Sequence, residues 1–136
     1  MVIGLGTDIV EIERIDAMIK RHGESFLKRV YTDSEINYCQ KRKQNSEAFA
    51  GRWAAKEAVM KVLGTGFVKG IGFMDIEIIS EQSGKPVVQL LGGAKDRADL
   101  LGIDDVLISI SHCKLYATAT AIGVGLSLEE IDDVPF

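Results

Sequence analysis

Three polar side chains stand where their types and spacing could do chemistry. Asp8 lies near the end of an otherwise apolar run, Val2–Val10. A carboxylate in such a run is costly to bury unless something pairs with it. Either it caps the element that follows, or a metal ion or substrate group meets it. Farther along, Trp53, Glu57 and Lys61 are spaced at intervals of four, so on a helix they share one face. Glu four residues before Lys is the favourable order for a surface ion pair, worth about 0.2–0.5 kcal/mol. The large aromatic on the same stripe implies partial burial and a less ordinary pair. The run Lys41-Arg42-Lys43 suits phosphate groups, and equally the C-terminal pole of a helix dipole. His112 stands between Ser111 and a turn, as a surface residue or as part of a pocket. Two glycine patterns are set aside. Gly4-Leu5-Gly6 lacks the third glycine of a dinucleotide fingerprint, because position 9 is Ile, and no Gly-Lys-Ser/Thr follows Gly64–Gly72. The latter segment could still offer backbone amides to a phosphate, or simply connect.

The elements that must hold these residues follow from apolar periodicity. Val2–Val10 reads as a buried strand with a polar end. Ile12, Ile15, Met18 and Ile19 recur at helical spacing, which predicts an amphipathic helix over 11–21 that closes near Gly23. Glu24–Val30 fits a short second helix. Thr32-Asp33-Ser34-Glu35 is a capping-box pattern that starts a helix reaching about Lys43. An alanine-rich helix over Ser46–Leu63 stops at Gly64. Strands are expected over Phe73–Ser80 and Pro86–Leu91 around a turn at 81–85, then a helix over Gly93–Gly102. A strand pair over Val106–Ser111 and Leu115–Ile122 completes an α+β fold with a mainly antiparallel sheet.

Composition bounds the function classes. The chain has 136 residues, 46% hydrophobic and 26% charged, enough for one domain with a real core. No apolar run approaches the roughly 20 residues of a membrane helix, and no signal peptide is expected. Cys39 and Cys113 lie far apart without metal-ligand spacing, so reduced thiols and a cytoplasmic location are expected. The net charge of −4 hides an asymmetry. Residues 1–69 carry 12 of the 16 Lys and Arg against nine acids, whereas 70–136 carry four against eleven. Either something anionic meets the first half, or the two halves are simply differently charged solvated faces. The basic groups lack interleaved aromatics, which argues against nucleic acid.

Taken in order, four segments are far more specific than their parts. They are Gly6-Thr7-Asp8-Ile9-Val10-Glu11, Phe49-Ala50-Gly51-Arg52-Trp53-Ala54-Ala55-Lys56-Glu57-Ala58, Gly84-Lys85-Pro86 and Ser109-Ile110-Ser111-His112. Together they resemble the holo-[acyl-carrier-protein] synthase family, the small bacterial 4′-phosphopantetheinyl transferases, over residues 1–122. The resemblance implies a sheet wrapped around a long helix, assembled as a homotrimer with active sites between subunits. It implies transfer of 4′-phosphopantetheine from coenzyme A to a serine of apo acyl carrier protein, with release of adenosine 3′,5′-bisphosphate. Magnesium would be held by Asp8 and Glu57, since it takes one or two carboxylates plus phosphate and water. Lys61 would sit near the pyrophosphate. Arg42, Lys43 and Arg52 would meet the 3′-phosphate and adenine end, and Gly64, Pro86, Ser111 and His112 would complete the coenzyme pocket. The general base stays open among Glu57, a metal-bound water, Asp33 and Glu35.

The amphipathic first helix would dock the acidic carrier through Arg14, Met18 and Arg21, with Lys28 and Arg29 extending the surface; Met18 could instead be core. Two features depart from the family pattern. A couple of extra residues between Lys43 and Phe49 blur which basic residue meets the phosphate, and an acidic tail, 123–136, follows the domain. The competing reading is a non-catalytic coenzyme A- or nucleotide-binding module.

Overall fold

A computed structural model of the chain describes residues 1–64 and 71–126. The glycines of the 65–70 segment and the capping pattern at Ser127–Glu130 lie outside these residues. The chain opens with strand β1 (Val2–Glu11) and helices α1 (Ile12–His22), α2 (Glu24–Val30), α3 (Asp33–Gln40) and α4 (Asn45–Leu63). A 3-10 turn at Phe73–Asp75 leads into β2 (Ile76–Ser80) and β3 (Pro86–Leu90). Helix α5 (Gly92–Leu101) and strands β4 (Asp105–His112) and β5 (Tyr116–Val124) follow. β5 is the middle strand of an antiparallel sheet ordered β1-β5-β4, and β2 and β3 form a separate hairpin.

The long helix α4 is the centre of the core. Ala50, Ala54, Ala55, Ala58, Val59 and Leu63 are fully buried on it, and it packs on β1, β5, β4 and β2. The sheet meets it with small residues, Ala117, Ala119 and Ala121 of β5, also buried. On β1 the approach is closer still. A Cβ at Gly6 would lie 2.0 Å from the Ala58 carbonyl oxygen and 3.0 Å from Lys61 Cβ. Only a glycine lets α4 lie against β1 there, and this closeness brings the 57–61 turn of the helix to Asp8.

Several expectations are adjusted. The outer face of β1 is open, with Leu5 63% and Ile9 65% exposed, so the strand is buried on one side only. Apolar residues on both faces read as full burial in a sequence, but α4 covers a single face. Helix α3 ends at Gln40, three residues short of Lys43, because Lys41–Gln44 turn the chain into α4. Phe73–Asp75 winds into a 3-10 turn before the strand, fixed by the Gly72 N–H donating to the Asp75 carboxylate (3.0 Å). β5 runs two residues past Ile122. The Thr32–Glu35 capping box is present, with Glu35 N–H donating to Thr32 Oγ1 (3.4 Å) and Thr32 N–H to Glu35 Oε1 (2.7 Å). Gly64 closes α4 in the left-handed region, at φ 71°.

Candidate active site

Asp8, Glu57 and Lys61 come together at the β1 edge of the three-stranded sheet. Lys61 extends from the last turn of α4 over the strand edge, where its Nζ donates to the Thr7 carbonyl (2.7 Å) and lies 3.4 Å from Asp8 Oδ1. Thr118 of β5 fixes the backbone at this point, its hydroxyl donating to the Asp8 carbonyl (2.8 Å). Burial pushes the Asp8 carboxyl above its usual range, although Lys61 pulls the other way. Burial also raises Glu57, and the neighbouring Asp8 charge raises it further. Arg14 of α1 favours the ionised form of both carboxylates. Two half-buried carboxylates that disfavour each other's charge form a donor set that a hard divalent cation relieves. Among the described residues no group of three or more His, Cys, Asp or Glu could hold a metal, so an ion held by Asp8 and Glu57 would need phosphate oxygens and water as its further ligands.

A second cluster lies at the opposite, β4 edge. A cavity of about 300 Å³ is bounded by Tyr38, Arg42, Lys43, Glu47, Arg52 and His112, with Gly84 of the hairpin turn on its rim. Arg52 projects from α4 and is nine-tenths buried. Its Nη2 donates to the Ser80 hydroxyl, and its guanidinium carbon lies 4.2 Å from the centre of the Tyr38 ring. Arg42 approaches the same ring at 4.4 Å and donates to the Tyr38 hydroxyl. His112 Nδ1 lies 3.5 Å from the Glu47 carboxylate. Gly51 lets β4 close on the helix here, because a Cβ would meet Ile110 Cγ2 at 3.0 Å.

The sequence-predicted residues thus divide. Asp8, Glu57 and Lys61 share one edge; Arg42, Lys43, Arg52 and His112 share the other. Lys41 is not among the residues that line the cationic cavity; it lines a neighbouring hollow with Ser34, Asn37, Tyr38 and Arg42. Ser111 is exposed on β4, paired across the ladder with Thr118, and Pro86 opens β3. Arg14 and Arg21 are exposed on α1, while Met18 between them is partly buried against the core.

Glu35 belongs to the scaffold. It and Lys56 are a fully buried ion pair (2.6 Å). Lys56 Nζ also donates to the Val30 (2.7 Å) and Phe73 (3.0 Å) carbonyls, and Glu35 Oε2 accepts from Ile78 N–H (2.8 Å). Glu35 is only 1% exposed, so its carboxylate is turned into the core rather than toward a substrate at the surface. The pair ties α2, α3, the 3-10 turn and β2 to α4 one residue before Glu57. Sequence reading missed its partnership, since residues 21 positions apart carry no local spacing signal. It also missed Tyr38, for which the i, i+4 spacing to Arg42 on one face of the expected helix was the available signal.

Residues 4–121 match the 4′-phosphopantetheinyl transferase superfamily. The holo-[acyl-carrier-protein] synthase of Protochlamydia amoebophila is 50% identical over 122 residues, 90% of this chain and 98% of that protein. The crystal structure of holo-ACP-synthase from Plasmodium yoelii superimposes with a TM-score of 0.80 at 32% identity, covering 93% of this chain and 98% of that one. The Helicobacter pylori holo-[acyl-carrier-protein] synthase in complex with coenzyme A superimposes with a TM-score of 0.78 at 35% identity, covering 88% and 99%. With fold, motif order and length all in agreement, the chain belongs to the holo-[acyl-carrier-protein] synthase family of 4′-phosphopantetheinyl transferases.

Proposed function

We infer that this protein transfers 4′-phosphopantetheine from coenzyme A to a serine hydroxyl of apo acyl carrier protein. The serine oxygen attacks the phosphorus on the pantetheine side, the pyrophosphate bond breaks, and adenosine 3′,5′-bisphosphate leaves. The observation that carries this reading is the convergence of Asp8, Glu57 and Lys61 at one strand edge, in a chain half-identical to a holo-[acyl-carrier-protein] synthase over nearly its whole length. Asp8 and Glu57 are assigned as magnesium ligands, a role their oxygen chemistry and mutual charge support. Bound there with the pyrophosphate, the ion supplies neutralisation of the charge that builds on the leaving phosphate. Lys61 adds a mobile ammonium to the same end. Arg42, Lys43, Arg52 and His112 are assigned to the 3′-phosphate and adenine end, with Gly64, Pro86 and Ser111 as further coenzyme contacts. Of the candidate bases, Glu57 stands at this site, whereas Asp33 starts α3.

The two clusters lie on opposite edges of a three-stranded sheet, with β5 between them. Strand spacing sets those edges roughly 10 Å apart. Head-to-tail association that brings the β1 edge of one copy to the β4 edge of the next completes a site and closes a ring, and we assign that ring as a homotrimer. The exposed Leu5, Ile9 and Leu107 on the outer sheet face support such an association. Arg14, Met18 and Arg21 of α1 are assigned to docking the acidic carrier. The transferase unit is assigned to residues 1–122, with 123–136 an acidic appendage whose first two residues still complete β5. A cytoplasmic location accords with the free thiols of Cys39 and Cys113. Nucleic acid and membranes are not partners in this reading; among the described residues no helix is long and apolar enough to cross a membrane.

Incubation with magnesium, coenzyme A and apo acyl carrier protein tests the function. The expected result is a mass gain of one phosphopantetheine on the carrier. No gain with several apo carriers, while coenzyme A still binds, would leave the non-catalytic binding module.

A further inference from the structure

Arg42 and Arg52 form no ion pair with a carboxylate among the described residues. Glu47, the acid nearest them on the cavity wall, is engaged with His112. Two guanidiniums held near each other repel, and burying one of them raises the cost. Arg52 is nine-tenths buried, and its Nε has no hydrogen-bond partner among the described residues. What both cations share is an aromatic ring. Tyr38 receives Arg52 at 4.2 Å and Arg42 at 4.4 Å from its centre, and its hydroxyl accepts from Arg42.

A ring attracts both cations through its negative faces without cancelling their charge. A carboxylate in the same place would hold them equally well but would compete with any arriving phosphate. Planar guanidiniums over a ring also keep their N–H edges in fixed directions, which suits bidentate contact with a phosphate. The helix that carries the ring is tied to the core. Tyr38 lies three residues beyond Glu35, whose carboxylate is fixed by Lys56, Thr32 N–H and Ile78 N–H. Burial opposes ionisation of the Tyr38 phenol, yet the Ser80 hydroxyl and the two guanidiniums bring it below its ordinary value, as a cationic setting requires.

We propose that Tyr38 is a positioning residue that holds Arg42 and Arg52 for the 3′-phosphate of the coenzyme, and thereby sets the preference for coenzyme A over its 3′-dephospho form. The proposal rests on the transferase reading for the identity of the ligand. Its test is calorimetric titration of wild type, Tyr38→Leu and Tyr38→Phe with coenzyme A and with 3′-dephospho-coenzyme A, beside the transfer assay. Tyr38→Leu is expected to weaken coenzyme A binding about tenfold and to leave the dephospho form within about twofold. Tyr38→Phe keeps the ring and should stay within about threefold of wild type for both. Should Tyr38→Leu fail to fold, Tyr38→Gln is read in its place. Equal weakening for both ligands, or none for either, overturns the proposal. Because binding is measured apart from turnover, a wild type that binds coenzyme A without transferring defeats the transferase reading alone. An unchanged selectivity in an active variant defeats only the role of Tyr38, and a wild type that binds neither ligand defeats both.

Discussion

Burial raises the Asp8 and Glu57 carboxyls in the folded state, and the direction has two consequences. A carboxyl with a folded value above its unfolded one binds more protons when folded. Stability therefore falls as pH rises through the window between the two values. At neutral pH the ionised Glu57 weighs against the fold, so Glu57→Gln should melt at a higher temperature than wild type in the presence of a chelator. The same substitution should lower phosphopantetheine transfer by about 100-fold or more if Glu57 holds the metal as proposed. A lower melting temperature would overturn the electrostatic account, and full activity would remove Glu57 from the site. Sequence reading reached Asp8, Glu57 and Lys61 because a lone acid in an apolar run and an i, i+4, i+8 stripe are local patterns. It could not reach Lys56, which sits in that same helix and looks like one more solvated charge until Glu35 is brought to it.

At the level of elements, α4 was legible from its alanines and its stop at Gly64, and α3 from its capping box. What escaped was contact between elements. Apolar residues at Leu5 and Ile9 look alike in a sequence whether another part of the chain or a second copy covers them. Two substitutions test how the elements hold the site. Lys56→Met leaves Glu35 buried without its cation and should cost about 3–5 kcal/mol, measured by denaturant unfolding; a loss under about 1 kcal/mol would show that the pair is not structural. Helix α1 carries its charges on the open side, with Met18 partly turned to the core. Arg14→Glu should raise the KM for the carrier several-fold, chiefly through slower association, and added salt should mimic it in wild type. Because Arg14 also acts on both site carboxylates, a fall in kcat without any change in KM would assign it to the metal end instead.

In the proposed assembly the molecule presents half a site on each edge of one sheet, and that arrangement has a test no single chain can mimic. Asp8→Asn and Arg52→Gln should each be inactive alone. Mixed after dissociation and reassembled, they should regain up to about a quarter of wild-type sites, since random head-to-tail pairing joins two intact edges that often. No recovery would mean that each chain works by itself. The seam between α4 and the sheet has a different kind of consequence, one for descent rather than for catalysis. Gly6 and Ala58 meet with no spare volume, the Gly6 Cβ position being 2.0 Å from the Ala58 carbonyl oxygen. A single added methyl at Gly6 forces the helix off the strand and moves Lys61 away from Asp8. These positions can therefore drift only in concert, and the site's geometry is inherited through side chains that are missing.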